Sequence, residues 1–126
     1  GVPGVETRGM LLYTYGVAEN RLTKERMAQV LSEAPAKLYG AYPRKGILAE
    51  GSDADIVVYD PCGSHILTDG ELTSRAGYTP FAGFRIDGSI RQVWLRGMLA
   101  VEDGNVLAAG KGVFIPRKTA GGEQEC

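Results

Sequence analysis

The chain has very little of the residue types on which hydrolytic sites most often depend. Its 126 residues include one histidine, His65, and two cysteines, Cys62 and Cys126. One histidine is too few for a metal site built from several imidazoles. Two cysteines far apart do not make a disulfide framework, so a reducing, cytoplasmic compartment is the expected setting.

Blocks of like charge and long apolar runs are also lacking. The formal net charge is −1 and neither sign is concentrated in one stretch, so there is no electrostatic reason to expect nucleic acid or an anionic membrane as a partner. No apolar stretch approaches the roughly 18–20 residues that span a bilayer, and no secretory leader pattern opens the sequence. The loop-like start at Gly1, without a methionine, favours a piece of a longer protein.

What the first part of the chain does contain is apolar residues at helical spacing. They predict helices over residues 9–18, 24–32 and 35–39. Thr23 is placed to cap the second of these helices, and Pro35 is placed to open the third.

From Gly46 onward the pattern changes to short apolar runs between turn residues. The clearest run covers residues 56–59. It has no polar alternation, which predicts a strand buried on both faces, at the centre of a sheet, and stopped by Asp60-Pro61. Further strands are expected at residues 47–49, 90–96, 98–101, 106–108 and 112–116, with an extended or loop segment at 62–68 and a hairpin at Asp103-Gly104. Helices followed by short strands predict an α+β fold, or two parts of different domains.

Three aspartates near the clearest run, Asp53, Asp55 and Asp60, are candidates for a carboxylate metal site. Their spacing is not that of an EF-hand loop. Aspartate also commonly bonds its own backbone in turns. We therefore favour a turn role over a metal site.

Cys62 and His65 are three residues apart and are candidates for a nucleophile and a base. A nucleophilic cysteine needs a base held against it, and no third, orienting group is evident. We favour a surface histidine and a half-buried thiol that follows a strand.

The remaining candidates also have simpler structural interpretations. Glu6 and Arg8 could touch a substrate, but we expect them to pair or cap locally. Residues 110–112 are too short for a phosphate-binding loop. A further group is aromatic and lies in the Gly-rich stretch 69–84: Tyr78, Phe81 and Phe84. We expect these rings to pack beneath the loop rather than to form a ligand cage.

Several stretches form a recognisable series along the chain. They are residues 4–8 (GVETR), 35–40 (PAKLYG), 42–46 (YPRKG), 51–58 (GSDADIVV), 74–81 (SRAGYTPF), 101–104 (VEDG) and 112–118 (GVFIPRK). In this order they resemble the carboxy-terminal part of the cyclic amidohydrolases, specifically the hydantoinase and dihydropyrimidinase group. The GSDADIVV element alone would also fit allantoinases, dihydroorotases and deaminases, whereas YPRKG and YTPF narrow the resemblance to hydantoinases.

The resemblance implies an enzyme that hydrolyses the cyclic amide C–N bond of hydantoins or dihydropyrimidines. Members of this family hold two divalent metals, usually zinc, at the mouth of a (β/α)8 barrel, and their ligands precede the region that this chain covers. The chain is therefore expected to supply no catalytic residue and no metal ligand, and to be inactive alone. Gly1, Val2 and Pro3 would lie next to the substrate-contacting loop.

The resemblance also implies an organisation. Residues 1–42 would be the closing helices of the barrel, residues 43–116 would add strands to a composite β-sandwich, and residues 117–126 would form a tail. The partners would be the amino-terminal remainder of the enzyme and further copies in a homo-oligomer, a tetramer. Three alternatives stay open: a non-catalytic dihydropyrimidinase-related assembly protein, an allantoinase or dihydroorotase relative, and a free-standing binding module.

Overall fold

Helices precede strands in the folded chain, as expected for an α+β protein. The computed structural model describes residues 2–116. Gly1, the predicted tail at 117–126 and Cys126 lie outside the described residues. The helical elements are α1 (Arg8–Leu12) with a π-helical turn at Tyr13–Ala18, then α2 (Lys24–Ala28), a second π-helical turn at Gln29–Glu33, and α3 (Ala34–Leu38). The strands are β1 (Ile56–Ile66), β2 (Arg85–Leu95), β3 (Met98–Glu102) and β4 (Asn105–Val106), with a 3-10 turn at Asp69–Glu71.

The predicted helices are confirmed, with one correction at their junction. The backbone N–H of Arg26 donates to Thr23 Oγ1 at 3.1 Å, so Thr23 caps α2 as expected. The second and third helices are not separate, because the chain stays helical from Lys24 to Leu38. Pro35 lies in the first turn of α3, directly after a wide π-helical turn, where its missing N–H does not end the helical run.

The strand predicted at the centre of the sheet lies at its edge. The strand order is β1-β2-β3-β4. Val57 is 58% exposed and Val58 is 41% exposed, so the predicted burial of this strand on both faces is wrong in the described chain. Asp60-Pro61 does not stop β1 either, since the strand continues to Ile66. An edge strand uses its ladder groups on one side only, so it tolerates proline.

The later strands follow the expected order but differ in length. β2 pairs antiparallel with β3, and a register shift separates Val93 from Trp94. The hairpin at Asp103-Gly104 is confirmed, since both residues have positive φ, of 46° and 79°, between the antiparallel β3 and β4. Residues 47–49 and 112–116, which were predicted to be strands, are not in strands. Ile47 and Leu48 are exposed, so this run does not gain the burial that a strand needs.

The described residues fall into two compact units. Residues 2–27 and 59–91 form the first unit, and residues 28–58 and 92–116 form the second. Leu67 and Ile86 are the fully buried apolar side chains of the first unit, where Thr7, Thr14 and Thr79 are also buried. The second unit buries Ala36 and Ala100. It also holds Trp94, whose Nε1 donates to Gln92 Oε1 at 3.2 Å.

Within residues 2–116, no helix combines the length and the apolar character needed to cross a membrane.

Candidate functional site

A short loop at residues 2–6 leads into α1 and contains Val2 and Pro3, two of the residues predicted to lie next to the substrate-contacting loop. Val2 is 72% exposed and Val5 is 83% exposed. The loop ends at Thr7, which is fully buried and whose carbonyl accepts a hydrogen bond from Leu11 N at 3.0 Å. We call residues 2–6 the amino-terminal loop.

The Glu6 carboxylate ties this loop to a distant part of the first unit. It accepts the backbone N–H of Thr73 at 3.1 Å (Oε2) and 3.3 Å (Oε1), and the Thr73 hydroxyl donates to Oε2 at 3.1 Å. The two residues are 67 positions apart. Glu6 therefore does not make the local pair with Arg8 that the sequence suggested. We call the contact between Glu6 and Thr73 the loop brace.

Thr73 lies in residues 69–84, the long loop, which is itself well anchored. Thr68 and Glu71 form a capping box around the 3-10 turn Asp69–Glu71. The hydroxyl and the backbone N–H of Thr68 both donate to Glu71 Oε1, and the Thr68 hydroxyl is the largest cause that lowers the pKa of Glu71. Asp69 Oδ1 accepts Thr79 N–H at 2.6 Å. The far end is held by two backbone hydrogen bonds of 2.9 Å, from Leu67 to Phe84 and from Gly83 to Leu67.

The prediction that three aromatic residues pack beneath the long loop is confirmed only in part, because Tyr78 is 49% exposed and Phe84 is 43% exposed. Phe81 and Phe84 meet edge to face with ring centroids 5.7 Å apart, and Phe84 meets Tyr15 edge to face at 5.8 Å. A Cβ atom placed on Gly4 would lie 4.0 Å from Phe81, so the amino-terminal loop also passes close to this cluster. Phe81 and Phe84 therefore support the loops through contacts with other rings.

A second contact in the same unit joins the first helix to β2. Thr14 is buried; its hydroxyl donates to Met10 O at 2.9 Å and accepts Asp87 N–H at 2.9 Å. The Tyr59 hydroxyl donates to the Asp87 carbonyl at 2.6 Å, and its ring lies 4.6 Å from that of Tyr13. Burial, followed by the charges of Tyr13 and Asp87, raises the pKa of Tyr59 to about 12. This phenol is a structural hydrogen-bond donor that stays protonated in neutral solution.

The aspartates that suggested a metal site are used by cations and backbone groups of the second unit. Lys45 Nζ lies 2.8 Å from Asp53 Oδ2 and also pairs with Asp55, while Arg44 Nε lies 3.0 Å from Asp53 Oδ2. Asp55 Oδ1 accepts the backbone N–H of Arg96 at 2.9 Å. The hydrogen bond from Lys45, followed by that from Arg44, lowers the pKa of Asp53. A structural role in the turn is therefore confirmed for both residues.

Asp60, Cys62 and His65 lie along β1. Asp60 Oδ1 accepts Cys62 N–H at 2.9 Å. Cys62 is a free, exposed cysteine, so the prediction of a half-buried thiol is wrong. His65 is exposed, as expected for a surface histidine, and its Nε2 lies 3.1 Å from Glu71 Oε2. The partner of His65 is thus a carboxylate of the long loop.

An open groove of about 440 Å³ lies between the first two helical segments and contains none of the predicted site residues. Its lining comprises Tyr13, Val17, Ala18, Asn20, Arg21, Leu22, Thr23 and Lys24. One of its cations, Arg21, pairs with Glu19 at 2.8 Å.

The two metals implied by the resemblance do not fit the residues described here. In residues 2–116 there is no group of three or more histidine, cysteine, aspartate or glutamate side chains that could hold a metal ion. The single histidine faces Glu71, and the Asp53–Asp55 pair faces Lys45. We therefore assign no catalytic step to a metal on these residues.

The brace residue Thr73 was not among the sequence-based candidates. Thr73 is one of several polar residues in an irregular stretch, and no local pattern marks its distant partner. Thr7 was also missed; its hydroxyl is buried and has no hydrogen-bond partner among the described residues. The sequence offers one signal for Thr7, its position just before a predicted helix. That position predicts a helix cap, but the Thr7 side chain makes no capping hydrogen bond.

Comparisons with known proteins find a matching family and similar relatives. The sequence pattern of the Amidohydrolase family matches residues 4–106. The chain is 42% identical over 119 residues to a D-phenylhydantoinase of Escherichia coli O139:H28, an alignment that covers 94% of this chain and 26% of the relative. The chain thus spans about a quarter of the length of the curated relatives that it matches.

Two solved structures extend the likeness to the fold. A D-hydantoinase (dihydropyrimidinase) from Thermus sp. superposes with a TM-score of 0.77 at 45% identity, over 85% of this chain and 23% of that one. An L-hydantoinase (dihydropyrimidinase) from Arthrobacter aurescens superposes with a TM-score of 0.75 at 37% identity, over 79% of this chain and 22% of that one.

Proposed function

The chain belongs to the amidohydrolase family, and from that premise we propose that it is the carboxy-terminal part of a cyclic amidohydrolase of the hydantoinase and dihydropyrimidinase type. The whole enzyme would hydrolyse the cyclic amide C–N bond of hydantoins or dihydropyrimidines. The observation that carries the proposal is 42% identity to a D-phenylhydantoinase over 94% of this chain. Over such a length the match includes the helices, the long loop and the strands together.

We propose further that the metals of this enzyme, two divalent ions such as zinc, are held by residues outside this chain. The described residues offer no suitable cluster of ligands. The part played by residues 2–116 would be structural, apart from the amino-terminal loop. Val2 and Pro3, with Gly1 before them, would lie beside the loop that contacts the substrate.

The domain organisation is part of the same proposal. Residues 1–42 would close the (β/α)8 barrel, residues 43–116 would contribute strands to a β-sandwich completed by the amino-terminal part of the enzyme, and residues 117–126 would form a tail. The edge position of β1 supports this organisation, because an edge strand has unpaired backbone groups on one side. The parent would be a cytoplasmic homotetramer that acts on small cyclic amides.

Ring opening by the full-length protein tests the function. The zinc-loaded protein should hydrolyse hydantoin or dihydrouracil in preference to allantoin and dihydroorotate, with the acyclic ureido acid as product. The purified 126-residue chain should hydrolyse none of the four, even with added zinc. Turnover by the isolated chain would overturn the assignment of catalysis to the rest of the protein. A folded, zinc-loaded parent that opens none of these rings would favour the non-catalytic assembly protein.

A further inference from the structure

The amino-terminal loop is fixed by a charged side chain that the assignment to a family does not explain. We propose that Glu6 is a positioning residue for the ring-opening reaction: through the loop brace to Thr73 it sets the position of Val2 and Pro3, and so of the substrate-contacting loop beside them. The inference rests on the proposed function, because it assumes that the amino-terminal loop adjoins the loop that contacts the substrate. Glu6 itself would touch neither the substrate nor a metal.

The geometry of the brace fixes the orientation of the Glu6 carboxylate as well as its contact with Thr73. Thr73 presents a backbone N–H and a hydroxyl, and both donate to Glu6 Oε2 at 3.1 Å. These distances are at the long end of the range for protein hydrogen bonds, so the contribution of the brace is to direction more than to strength. Two donors from one residue also fix the direction of the carboxylate, which a single bond would not do.

The residue at the other end of the brace belongs to an anchored segment. The long loop is held near Thr73 by the capping box of Thr68 and Glu71 and by the bond from Thr79 to Asp69. Its far end is held to Leu67. A contact with a loosely held segment would not fix the amino-terminal loop. Because the long loop is anchored, its contact with Glu6 does fix it.

In the first unit, the amino-terminal loop is connected to the long loop in two ways. Glu6 precedes α1, and the helical segment that follows α1 carries Tyr15, which packs edge to face on Phe84. Phe84 lies at the end of the long loop that also contains Thr73. The amino-terminal loop is therefore held through its helix on one side and through Glu6 on the other. Release of the brace leaves the helix and the close approach of Gly4 to Phe81, so residues 2–5 gain freedom to move.

The expected consequence is a loss of substrate affinity and not of fold. A contact that binds the substrate equally well in the ground state and the transition state raises KM when it is lost and leaves kcat nearly unchanged. Since the brace is exposed and one of several contacts, we expect Glu6→Ala to raise the KM for hydantoin about tenfold and Thr73→Val about threefold, each with a smaller change in kcat.

Conservative variants separate positioning from general stability. Glu6→Gln keeps an acceptor oxygen and Thr73→Ser keeps the hydroxyl, so both should stay within about twofold of the wild-type KM. The matched control is Glu102→Ala, which removes an exposed carboxylate that accepts a bond from Gln92 at 2.9 Å in the second unit. It should leave KM unchanged even if it lowers the melting temperature.

The experiment measures KM and kcat for hydantoin in the zinc-loaded full-length protein, with the folded fraction of each variant taken from its circular dichroism melt. An increase of KM in Glu6→Ala and Thr73→Val, absent from the two conservative variants and the control, supports the inference. Wild-type KM in a folded Glu6→Ala overturns it. If Glu6→Ala does not fold, wild-type KM in Thr73→Val overturns it instead. An inactive wild-type protein refutes the proposed function, and this inference with it.

Discussion

Gly46 occupies a position that only a residue without a side chain can fill. Its φ is +86°, and a Cβ atom there would lie 2.6 Å from Ala36 Cβ and 2.8 Å from the carbonyl oxygen of Ser32. Gly51 also has a positive φ, of +83°, but a Cβ atom on it would meet nothing within 4 Å. Substitution at Gly51 therefore introduces backbone strain alone, whereas substitution at Gly46 introduces strain and steric overlap together.

We predict that Gly46→Ala destabilises the protein by about 2–3 kcal/mol, because strain in the left-handed region and overlap with α3 add together. Gly51→Ala should cost about 1 kcal/mol, from strain alone. Gly112→Ala is the control, since a Cβ atom there meets nothing within 4 Å and no positive φ is involved. Urea unfolding of the full-length protein measures all three, and equal effects at Gly46 and Gly51 would contradict the predicted overlap.

Asp53 makes the stability of the second unit depend on pH. The hydrogen bonds from Lys45 and Arg44 lower its pKa in the folded state. A lowered folded-state pKa means that the stabilisation is complete above the ordinary pKa of aspartate, about 3.9, and is lost as the pH falls through the folded value.

We predict that Asp53→Asn reduces stability at pH 7 and flattens the loss of stability below pH about 4. Glu50→Gln, which changes an exposed carboxylate at the same turn, should leave both unchanged. Melting temperatures of the full-length protein between pH 7 and pH 3 test this. A profile for Asp53→Asn that falls as steeply as that of the wild type would contradict it.

At the scale of elements, one buried hydroxyl joins the first helical segment to β2. Thr14 Oγ1 accepts the Asp87 N–H at 2.9 Å while donating to Met10 O. Removal of this oxygen leaves a backbone donor without its acceptor in a buried place, which costs about 1–3 kcal/mol.

We therefore predict that Thr14→Val destabilises the full-length protein by about 1–3 kcal/mol, whereas Thr14→Ser retains most of the stability because it keeps the hydroxyl. Chemical unfolding gives both values. Amide hydrogen exchange at Asp87 should accelerate in Thr14→Val only. An unchanged exchange rate would show that the hydroxyl does not hold the strand.

Local signals predicted the helices well, and the strands less well. Thr23 and the apolar spacing after it indicated α2, and the bond from Arg26 confirms the cap. Proline ends a central strand, so the sequence predicts a strand end at Pro61, but β1 is an edge strand in which proline is tolerated. Whether a strand is central or at the edge depends on pairing partners, which a run of apolar residues does not specify.

The candidate site was the least predictable part. The turn roles of Asp53 and Asp55 followed from local chemistry, and their cations are nearby in sequence. The partner of Glu6 lies 67 residues away in an irregular loop, so no spacing rule connects the two. Long-range contacts between loops depend on the folded course of the chain.

For the molecule as a whole, large apolar side chains remain exposed on the described residues. Besides Val57 and Val58, exposed side chains include Leu38, Tyr39, Leu48, Ile66, Val106, Leu107, Val113 and Phe114. β1 also has a free edge in the four-stranded sheet. Exposed apolar side chains and an unpaired strand edge both favour association.

We predict that the isolated 126-residue chain self-associates, or stays bound to the remainder of the enzyme when the two are co-expressed. Size-exclusion chromatography with light scattering should show species heavier than the 13.5 kDa monomer. A Val58→Lys variant should shift the distribution towards monomer, because charge on an edge strand opposes strand pairing. A clean monomer at working concentration that unfolds cooperatively would argue against the prediction.

Trp94 gives the chain an optical reporter for one of its two compact units. It is the single tryptophan of the sequence, and it lies in the second unit, whereas Tyr13, Tyr15 and Tyr59 lie in the first. Selectively excited indole fluorescence therefore follows residues 28–58 and 92–116, while far-ultraviolet dichroism averages over both units. Coincident transitions by the two signals indicate one cooperative domain, and separated transitions indicate two. No label or added tryptophan is needed to make that distinction.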